Sequence, residues 1–324
     1  MNSQKVAIIS GITGQDGAYL TKLLTDKNYI VIGLTRSYSN SSISNLNYLG
    51  LSEKVSIEEC DMLDFSSLLK ILAKYHPDEF YNLGAQSSVG LSFEQPIGTI
   101  HYNTISVLNI LESIRILNLT TKFYQASSSE MYGKVKGLPI NDTTPLHPLS
   151  PYAISKAAAY WTVINYRESY GVFAVNGVLF NHESYLRSSN FFVKKVLKGA
   201  IDINKGRLPY LAVGNIDIKR DFGYAPDYVE AMFLSLQQGK ANDYFICSGT
   251  SIYLRDIAEY VFDKFNINKD KIVIDPKFYR PVEITDLYGD NQKAKSELGW
   301  NYSKTFYEVL DILIAEELKN DALK

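Results

Sequence analysis

The segment from Val6 to Gly17 constrains the fold more than any other part of the chain. A short apolar run at residues 6–10 leads directly into Gly11-Ile12-Thr13-Gly14-Gln15-Asp16-Gly17, and an amphipathic stretch follows. Glycines at this spacing permit a tight turn and a close backbone approach to a pyrophosphate, and the helix N-terminus adds free N–H groups. The segment predicts a strand, a turn and a helix that bind a dinucleotide; the alternative is a glycine-rich turn without a ligand.

The first half of the chain continues this alternation. Strands are predicted at residues 6–10, 30–34, 55–60, 80–83, 123–126 and 174–180. Helices are predicted at residues 18–27, 65–75, 99–117 and 152–170. Short apolar runs that alternate with amphipathic helices are typical of a parallel sheet covered on both faces. We therefore expect an α/β fold with a Rossmann-like, doubly wound parallel sheet.

The pattern becomes irregular after Phe180. Polar loops are predicted at residues 184–190, 214–220 and 277–290, and shorter helices at 254–265 and 305–318. We expect a dinucleotide-binding domain over residues 1–180 and a smaller C-terminal substrate-binding lobe over residues 181–324. Some strands of residues 181–324 could instead belong to the sheet of the first domain.

Composition narrows the class of protein and of partner. The 324 residues are 46% hydrophobic and 21% charged, which is ordinary for a globular protein and argues against extended disorder. A net charge of -2 provides no electrostatic reason for a nucleic-acid or membrane partner. Cys60 and Cys247 are too few and too distant to suggest disulfides or a metal site. We expect no metal, no membrane segment and a reducing, cytoplasmic location.

A Tyr-x-x-x-Lys pair and a nearby Ser-x-Glu pair supply the candidate reaction chemistry. Tyr152 and Lys156 lie four positions apart, so on a helix they share one face. The lysine cation is expected to lower the pKa of the phenol, which could then take a hydroxyl proton as hydride leaves the same carbon. Ser128 can share that proton, and Glu130 adds an acid/base group that simple alcohol oxidation does not need. Singly, each residue has an ordinary structural interpretation; together, after a nucleotide loop, they predict catalysis.

Two positions bear on the choice of cofactor. The second strand ends in Leu34-Thr35-Arg36-Ser37 instead of the acidic residue that hydrogen-bonds an NAD ribose. A guanidinium matches a 2′-phosphate, so Arg36 favours NADP, although a solvated surface arginine is the alternative. Asp61 is interpreted in two ways: it meets the adenine edge, or it caps the helix that begins near Phe65.

The chain resembles the GDP-mannose 4,6-dehydratases of the extended short-chain dehydrogenase/reductase superfamily nearly from end to end. The shared segments include the glycine-rich loop, Asn82-Leu83-Gly84-Ala85-Gln86-Ser87, Ser129-Glu130-Met131-Tyr132-Gly133, Ser150-Pro151-Tyr152-Ala153, Asn165-Tyr166-Arg167-Glu168, Asn176-Gly177-Val178-Leu179-Phe180-Asn181-His182-Glu183-Ser184, Lys219-Arg220-Asp221 and Tyr279-Arg280-Pro281. The Asn-His-Glu-Ser and Tyr-Arg-Pro segments are far more specific than the glycine-rich loop. Ser128 stands where the family usually has threonine.

The resemblance implies a lyase (a hydro-lyase) that converts GDP-mannose to GDP-4-keto-6-deoxymannose, as in deoxysugar biosynthesis. It implies NADP(H) as cofactor, a GDP-sugar as partner, and a homodimer or homotetramer built on a four-helix contact between the helices at 99–117 and 152–170. The candidate catalytic residues are Ser128, Glu130, Tyr152 and Lys156. The candidate cofactor-binding residues are Gly11, Thr13, Gly14, Gln15, Asp16, Gly17, Arg36, Asp61, Met62, Leu83, Ala85, Ser87, Tyr152, Lys156, His182 and Arg187.

The resemblance also assigns a substrate side. The candidate substrate-binding residues are Ser87, Ser128, Glu130, Tyr152, Asn181, Lys195, Gly214, Asn215, Arg220, Arg280 and Glu283. Arginine forks suit diphosphate oxygens, and a carboxylate suits ribose hydroxyls or a guanine edge. The alternative is that Arg220 pairs with Asp217 or Asp221 and that Arg280 pairs with Glu283. His182 is expected to be a hydrogen-bonded structural histidine instead of a catalyst.

Two segments depart from the family pattern. Ser37 and Asn45 stand where the family has arginines in a loop that helps cofactor binding and tetramer contacts, and the usual Pro-Arg-Arg-Gly-Glu reads Tyr185-Leu186-Arg187-Ser188-Ser189. The substrate is therefore GDP-mannose or a relative such as a GDP-linked heptose. A nucleotide-sugar 4-epimerase or 4-reductase is an alternative with the same Ser/Tyr/Lys set, against which Glu130 argues. A noncatalytic NADP sensor is a further alternative.

Overall fold

The computed structural model describes residues 4–37 and 43–321. Its strands, numbered along the chain, are β1 (Val6–Ser10), β2 (Ile30–Thr35), β3 (Ser56–Glu59), β4 (Glu79–Asn82), β5 (Lys122–Ser128), β6 (Ala174–Leu179), β7 (Asn181–Glu183), β8 (Leu211–Val213), β9 (Lys219–Tyr224), β10 (Asp243–Ile246), β11 (Ser251–Tyr253) and β12 (Ile272–Ile274).

The helices are numbered in the same way. They are α1 (Gln15–Asp26), α2 (Ser44–Tyr48), α3 (Phe65–Tyr75), α4 (Val89–Glu94), α5 (Pro96–Ile116), α6 (Pro151–Tyr170), α7 (Phe192–Asn204), α8 (Ala225–Leu236), α9 (Leu254–Lys264), α10 (Gln292–Leu298) and α11 (Phe306–Asp321). Short 3-10 turns occur at Ser52–Lys54, Ser129–Tyr132, Lys269–Lys271 and Pro276–Phe278. No helix in the described ranges is both long and apolar enough to cross a membrane.

The main sheet is parallel throughout. In the described part of the chain it has seven strands in the order β10-β6-β5-β4-β1-β2-β3. The chain builds outward from β1 to β3 and then returns to place β4 on the other side of β1. This reversal opens a crevice at the carboxyl ends of β1 and β4, where ligands bind in doubly wound folds. The doubly wound parallel sheet expected from the sequence is confirmed.

Alternate residues of the central strands pack on opposite faces of the sheet. Ile9 and Tyr81 belong to the apolar cluster that includes α1 and α8, whereas their neighbours Ile8 and Phe80 belong to the cluster formed with α3, α5 and α6. Because both faces are covered, the strands are apolar on both sides, which is the reason their sequences appear as continuous apolar runs. Complete burial stabilises each large side chain by about 1.5–3 kcal/mol.

The second half of the chain contributes to two bodies of structure. Strand β10 joins the edge of the main sheet beside β6, and α8 packs against the same sheet. Helix α10 packs against β10 and α8. The remaining elements build a smaller lobe, in which β7, β9 and β11 form one sheet, β8 and β12 form another, and α7, α9 and α11 share an apolar cluster. The prediction of a polar loop at 214–220 was wrong for its last two residues, because Lys219 and Arg220 belong to β9.

Candidate functional site

The carboxyl end of β5 holds the first two catalytic candidates. Ser128 is the last residue of the strand and is buried, and Glu130 lies in the 3-10 turn that follows. The Ser128 hydroxyl oxygen accepts a hydrogen bond from the backbone N–H of Glu130 at 3.2 Å. This contact fixes the start of the turn, so the hydroxyl and the carboxylate emerge side by side at the crevice.

The N-terminus of α6 holds the other two catalytic candidates. Ser150 caps the helix by accepting from the N–H of Ala153 at 3.1 Å, and Pro151 occupies the first helical turn, where its missing N–H costs nothing. Tyr152 and Lys156 therefore sit one turn apart on the buried face, at 8% and 5% exposure. The Lys156 Nζ lies 5.9 Å from the centroid of the Tyr152 ring.

Burial dominates the ionisation of this pair. It raises the pKa of Tyr152 to about 12, against the smaller opposing effect of the Ser128 hydroxyl. It lowers the pKa of Lys156 to about 8. In the protein without ligands the pKa of the phenol is therefore raised, not lowered as expected, because desolvation is the largest effect on it.

The three glycines of the glycine-rich loop differ in what an added side chain would contact. Gly11 has a φ of +71°, and a Cβ there would lie 2.7 Å from the backbone nitrogen of Gly84. A Cβ on Gly17 would lie 2.3 Å from the Gly11 carbonyl oxygen. A Cβ on the exposed Gly14 would meet only that oxygen, at 3.2 Å. Internal packing thus requires Gly11 and Gly17, whereas Gly14 leaves an open approach to the first turn of α1.

A hydrogen-bonded cluster joins α1 to β7. The His182 Nε2 lies 2.9 Å from the Asp16 carboxylate, its Nδ1 donates to the Phe180 carbonyl oxygen at 2.7 Å, and Gln15 donates to the His182 carbonyl oxygen at 3.1 Å. Burial lowers the pKa of His182, but the charge and hydrogen bond of Asp16 outweigh it and leave the pKa raised. Both ring nitrogens have partners, in line with a structural role for the ring.

The four catalytic candidates, Asp16 and His182 face one cavity of about 600 Å³. Its lining includes the sequence-predicted residues Asp16, Leu83, Ala85, Ser87, Ser128, Glu130, Tyr152, Lys156, Asn181, His182, Arg187, Lys195, Gly214 and Arg280. They come from loops and elements on both sides of the crevice. The fold therefore brings together the four catalytic candidates and residues of both the cofactor-binding and the substrate-binding sets. The described residues contain no group of three or more His, Cys, Asp or Glu side chains that could hold a metal ion.

The far end of the cavity is basic and aromatic. The Lys195 Nζ lies 4.0 Å from the centroid of the Phe278 ring, and burial lowers the pKa of this lysine. A Cβ on Gly214 would lie 2.8 Å from the Phe278 carbonyl oxygen, so only glycine lets the loop after β12 approach so closely. Asn181 donates to the Asp221 carbonyl oxygen at 3.1 Å. This end can accept a flat, partly anionic ligand.

Comparison with known proteins now decides the family. A family model described as GDP-mannose 4,6 dehydratase matches residues 8–313. The GDP-mannose 4,6-dehydratase of Sinorhizobium fredii is 39% identical over 98% of both chains, and GDP-mannose 4,6 dehydratase 1 of Arabidopsis thaliana is 42% identical over 98% of this chain and 90% of its own. The chain belongs to the GDP-mannose 4,6-dehydratase family.

Solved structures support the fold of this dehydratase-family chain. The UDP-glucose 4-epimerase of Thermotoga maritima superposes with a TM-score of 0.87 at 22% identity, covering 98% of this chain and all of the other. The dTDP-glucose 4,6-dehydratase of Bacillus anthracis superposes with a TM-score of 0.85 at 18% identity, covering 98% of each chain. At these identities the likeness concerns the architecture only.

Several cofactor candidates of this family member lie outside the cavity lining. Arg36 is exposed at the end of β2, with its guanidinium carbon 5.4 Å from the centroid of the Tyr102 ring. Asp61 does not cap α3: its carboxylate accepts from the N–H of Leu63, and Asp64 caps the helix. The remaining ones are Gly11, Thr13, Gly14, Gln15, Gly17 and the buried Met62.

Three substrate candidates also lie outside the lining, namely Asn215, Arg220 and Glu283. The alternative salt bridges fail for Arg220, because it donates to the carbonyl oxygens of Lys219 and Ile284, while Asp217 pairs with Arg255. Burial lowers the pKa of Arg220, although the nearby charge of Glu130 opposes this. The contact between Arg280 and Glu283 is a hydrogen bond from a backbone N–H.

Sequence reasoning missed two contributors to the site. Asn45, noted only as a departure from the family, donates to the Thr13 carbonyl oxygen at 2.9 Å and so ties α2 to the glycine-rich loop. Phe278 lines the cavity beside Lys195, and only its position next to the Tyr-Arg-Pro segment could have drawn attention to it. The contact of Asn45 spans 32 positions in the sequence, and no local pattern reports it.

Proposed function

We propose that the protein is an NADP-dependent hydro-lyase that converts GDP-mannose to GDP-4-keto-6-deoxymannose and water. Family membership supports the reaction class. The observation that carries the proposal is the carboxylate of Glu130 in the same cavity as Ser128, Tyr152 and Lys156. Oxidation or epimerisation at carbon 4 needs only a hydroxyl, a phenol and a lysine; a second acid/base group is needed to eliminate water.

The residues around α1 fit a dinucleotide. The exposed Gly14 leaves the first turn of α1 open to a pyrophosphate, and the N–H groups of that turn point outward with the positive end of the helix dipole. Arg36, exposed at the end of β2, would hold a 2′-phosphate. The Bacillus anthracis structure with this fold is a complex with NAD. A bound nicotinamide would accept hydride from sugar carbon 4 and return it to carbon 6.

The four catalytic residues divide the proton transfers. Tyr152 takes the proton of the 4-hydroxyl, and Ser128 hydrogen-bonds the same oxygen. The resulting ketone acidifies the hydrogen on carbon 5. Glu130 removes that proton and delivers a proton to the departing 6-hydroxyl, which leaves as water. Return of hydride to carbon 6 would be matched by a proton to carbon 5, which would balance the proton that Tyr152 took from the 4-hydroxyl. Burial raises the pKa of Tyr152 to about 12, so the phenolate must be stabilised within the ternary complex. Lys156, one helical turn further along α6, is the nearest cationic residue in the sequence of that helix.

The basic and aromatic end of the cavity suits the nucleoside diphosphate. Lys195 and Arg280 supply positive charge for phosphate oxygens, and the Phe278 ring offers a stacking surface for a base. Segment 185–189, which departs from the family pattern, borders the same cavity through Arg187. This departure keeps a GDP-linked heptose as the second candidate substrate.

Two exposed apolar helix faces support a homodimer. Ile97 and Leu108 of α5 are 83% and 38% exposed, and Ile154 and Trp161 of α6 are 46% and 59% exposed. The two helices pack against each other, so a second copy placed across a two-fold axis would complete a four-helix contact and cover these side chains.

Mass spectrometry tests the proposed activity. The protein is incubated with a catalytic amount of NADP+ and, separately, GDP-mannose, GDP-linked heptose, UDP-glucose and dTDP-glucose. We expect GDP-mannose to lose the mass of one water without net reduction of the dinucleotide. A product of unchanged mass but altered configuration would establish an epimerase and overturn the dehydratase proposal, whereas selective conversion of the heptose would reassign the sugar.

A further inference from the structure

A chain of buried side-chain hydrogen bonds runs across the main sheet to the catalytic lysine. The Ser10 hydroxyl donates to the Asn82 side-chain oxygen at 2.5 Å, and the Asn82 amide donates to the Gln125 side-chain oxygen at 2.8 Å. The Gln125 amide in turn donates to the Ala126 carbonyl oxygen at 3.0 Å. Lys156 donates to that same oxygen at 2.7 Å. Every member is less than one-tenth exposed.

The direction of this chain is determined at its catalytic end. The Ala126 carbonyl oxygen can only accept, so Gln125 must present its nitrogen to Ala126 and its oxygen to Asn82. The Asn82 amide must then present its nitrogen to Gln125 and its oxygen to Ser10. The Ser10 hydroxyl oxygen accepts from the backbone N–H of Gly84 at 3.2 Å and donates its own proton to Asn82. Flipping either amide would place two donors or two acceptors together in a buried site and leave both groups without a hydrogen bond, which destabilises the native state.

The Ala126 carbonyl is a shared acceptor at the catalytic end. Strand β4 ends at Asn82, which pairs with Gln125, so Ala126 lies one residue beyond the last pair of these strands. A carbonyl oxygen has two lone pairs. Gln125 occupies one of them, which leaves Lys156 a single direction of approach. Without the amide, the ammonium could swing to the other lone pair and change its distance to Tyr152.

We propose that Gln125 is a positioning residue for Lys156, acting through the Ala126 carbonyl oxygen. Gln125 lies outside the cavity lining and touches no reacting atom. Through Asn82 and Ser10 it also connects the lysine to Gly11, the first residue of the glycine-rich loop. The catalytic meaning of this role rests on the proposed function, because Lys156 must support Tyr152 in the oxidation step.

Other titratable groups of the cavity that Lys156 lines must be held constant in any test. They include Tyr152 on α6, Glu130 after β5, Asp16 on α1, His182 on β7 and Arg187 after it. Substitution of Gln125 changes none of these side chains. A change in the ionisation of Lys156 would therefore originate at the Ala126 carbonyl or at residue 125 itself.

Two substitutions and one control test the proposal. Gln125→Met removes the amide at similar size, and Gln125→Glu replaces it with a carboxylate. Thr121→Val is the control, because it removes a buried 2.6 Å hydrogen bond to the Pro77 carbonyl oxygen just before β5, far from the lysine. We expect Gln125→Met to lower kcat for water loss by about tenfold, since small misplacements of catalytic groups are costly, and to leave KM for GDP-mannose unchanged. Thr121→Val should lower stability only.

Titration of the lysine itself separates this proposal from the proposed function. NMR of protein labelled with 13C at lysine Cε, with Lys156 assigned from Lys156→Met, reports its pKa without turnover. We expect Gln125→Met to raise that pKa, because the ammonium gains the full acceptor strength of the carbonyl, and Gln125→Glu to raise it by about one unit. An unchanged Lys156 pKa in both variants would overturn the positioning role. Absence of turnover in the unaltered protein would instead overturn the proposed function.

Discussion

Replacing Lys156 by methionine should make the cofactor-free protein more stable at neutral pH relative to alkaline pH. The side chain is 5% exposed and donates to a single carbonyl oxygen, and burial lowers its pKa from the ordinary 10.5 to about 8. Below pH 8 the native state must keep a buried ammonium. The difference between the two pKa values corresponds to about 3 kcal/mol.

The sign follows from proton binding. Between the folded pKa and the unfolded pKa, the unfolded chain holds a proton that the native protein has released, so this group makes the native state more stable as pH rises. For pKa values of 10.5 and about 8, this contribution grows by about 1 kcal/mol from about pH 7 to about pH 9. The Lys156→Met variant lacks this pH-dependent contribution to stability. The stability of the variant relative to the unaltered protein should therefore fall by that amount across the window.

Urea unfolding at several pH values measures the effect. Free energies of unfolding are compared for the unaltered protein, Lys156→Met, and Lys240→Met as a control at an exposed lysine. The free energy of unfolding of Lys240→Met should change with pH in the same way as that of the unaltered protein. A difference between the unaltered protein and Lys156→Met that stays constant from about pH 7 to about pH 9 would refute the conclusion that burial controls the ionisation of this lysine.

Three further substitutions test the site. Glu130→Gln should lower the rate of water loss by about a hundredfold or more and leave the dissociation constant for NADP+ unchanged; an undiminished rate would remove Glu130 from the mechanism. Gly14→Ala should fold normally but bind NADP+ about tenfold more weakly by titration calorimetry, because its methyl group stands before the helix N-terminus; equal affinity would place the pyrophosphate elsewhere. Asn45→Ala should weaken NADP+ binding about fivefold, the equivalent of one hydrogen bond, whereas Asn47→Ala on the exposed face of α2 should not; equal effects would deny a role for the Thr13 contact.

The sheet could be predicted closely because its signals are local. The helix predicted at 65–75 coincides with Phe65–Tyr75, and the first strand coincides with Val6–Ser10. Apolar period and turn residues determine such elements within a few positions of the chain. Helices α7 and α8 were not predicted, although α7 has a clear buried face, because they lie among irregular polar loops where the regular alternation of strands and helices ends.

In the candidate site, too, residues set by local geometry could be predicted and residues set by distant contacts could not. The pairs Ser128 with Glu130 and Tyr152 with Lys156 could be identified from the sequence, because each pair is set by the geometry of one strand end or one helix turn. The burial of Arg220 could not, since it depends on the carbonyl oxygen of Ile284, 64 positions away. Only the cap interpretation of Asp61 was wrong, because Asp64 caps the helix three residues later; a contact of Asp61 with the adenine edge stays a prediction.

The sequence by itself determined the doubly wound fold, the glycine-rich loop and the candidate acid/base residues, because short-range backbone geometry is encoded by neighbouring residues. Only the tertiary structure decided how those residues ionise and where they point. Lys156 reaches the Ala126 carbonyl oxygen across 30 positions, and Gln125 and Asn82 meet across 43. The raised pKa of Tyr152 and the lowered pKa of Lys156 come from desolvation by elements that are distant in the chain. Desolvation depends on which segments pack together, and no local pattern of residues carries that information.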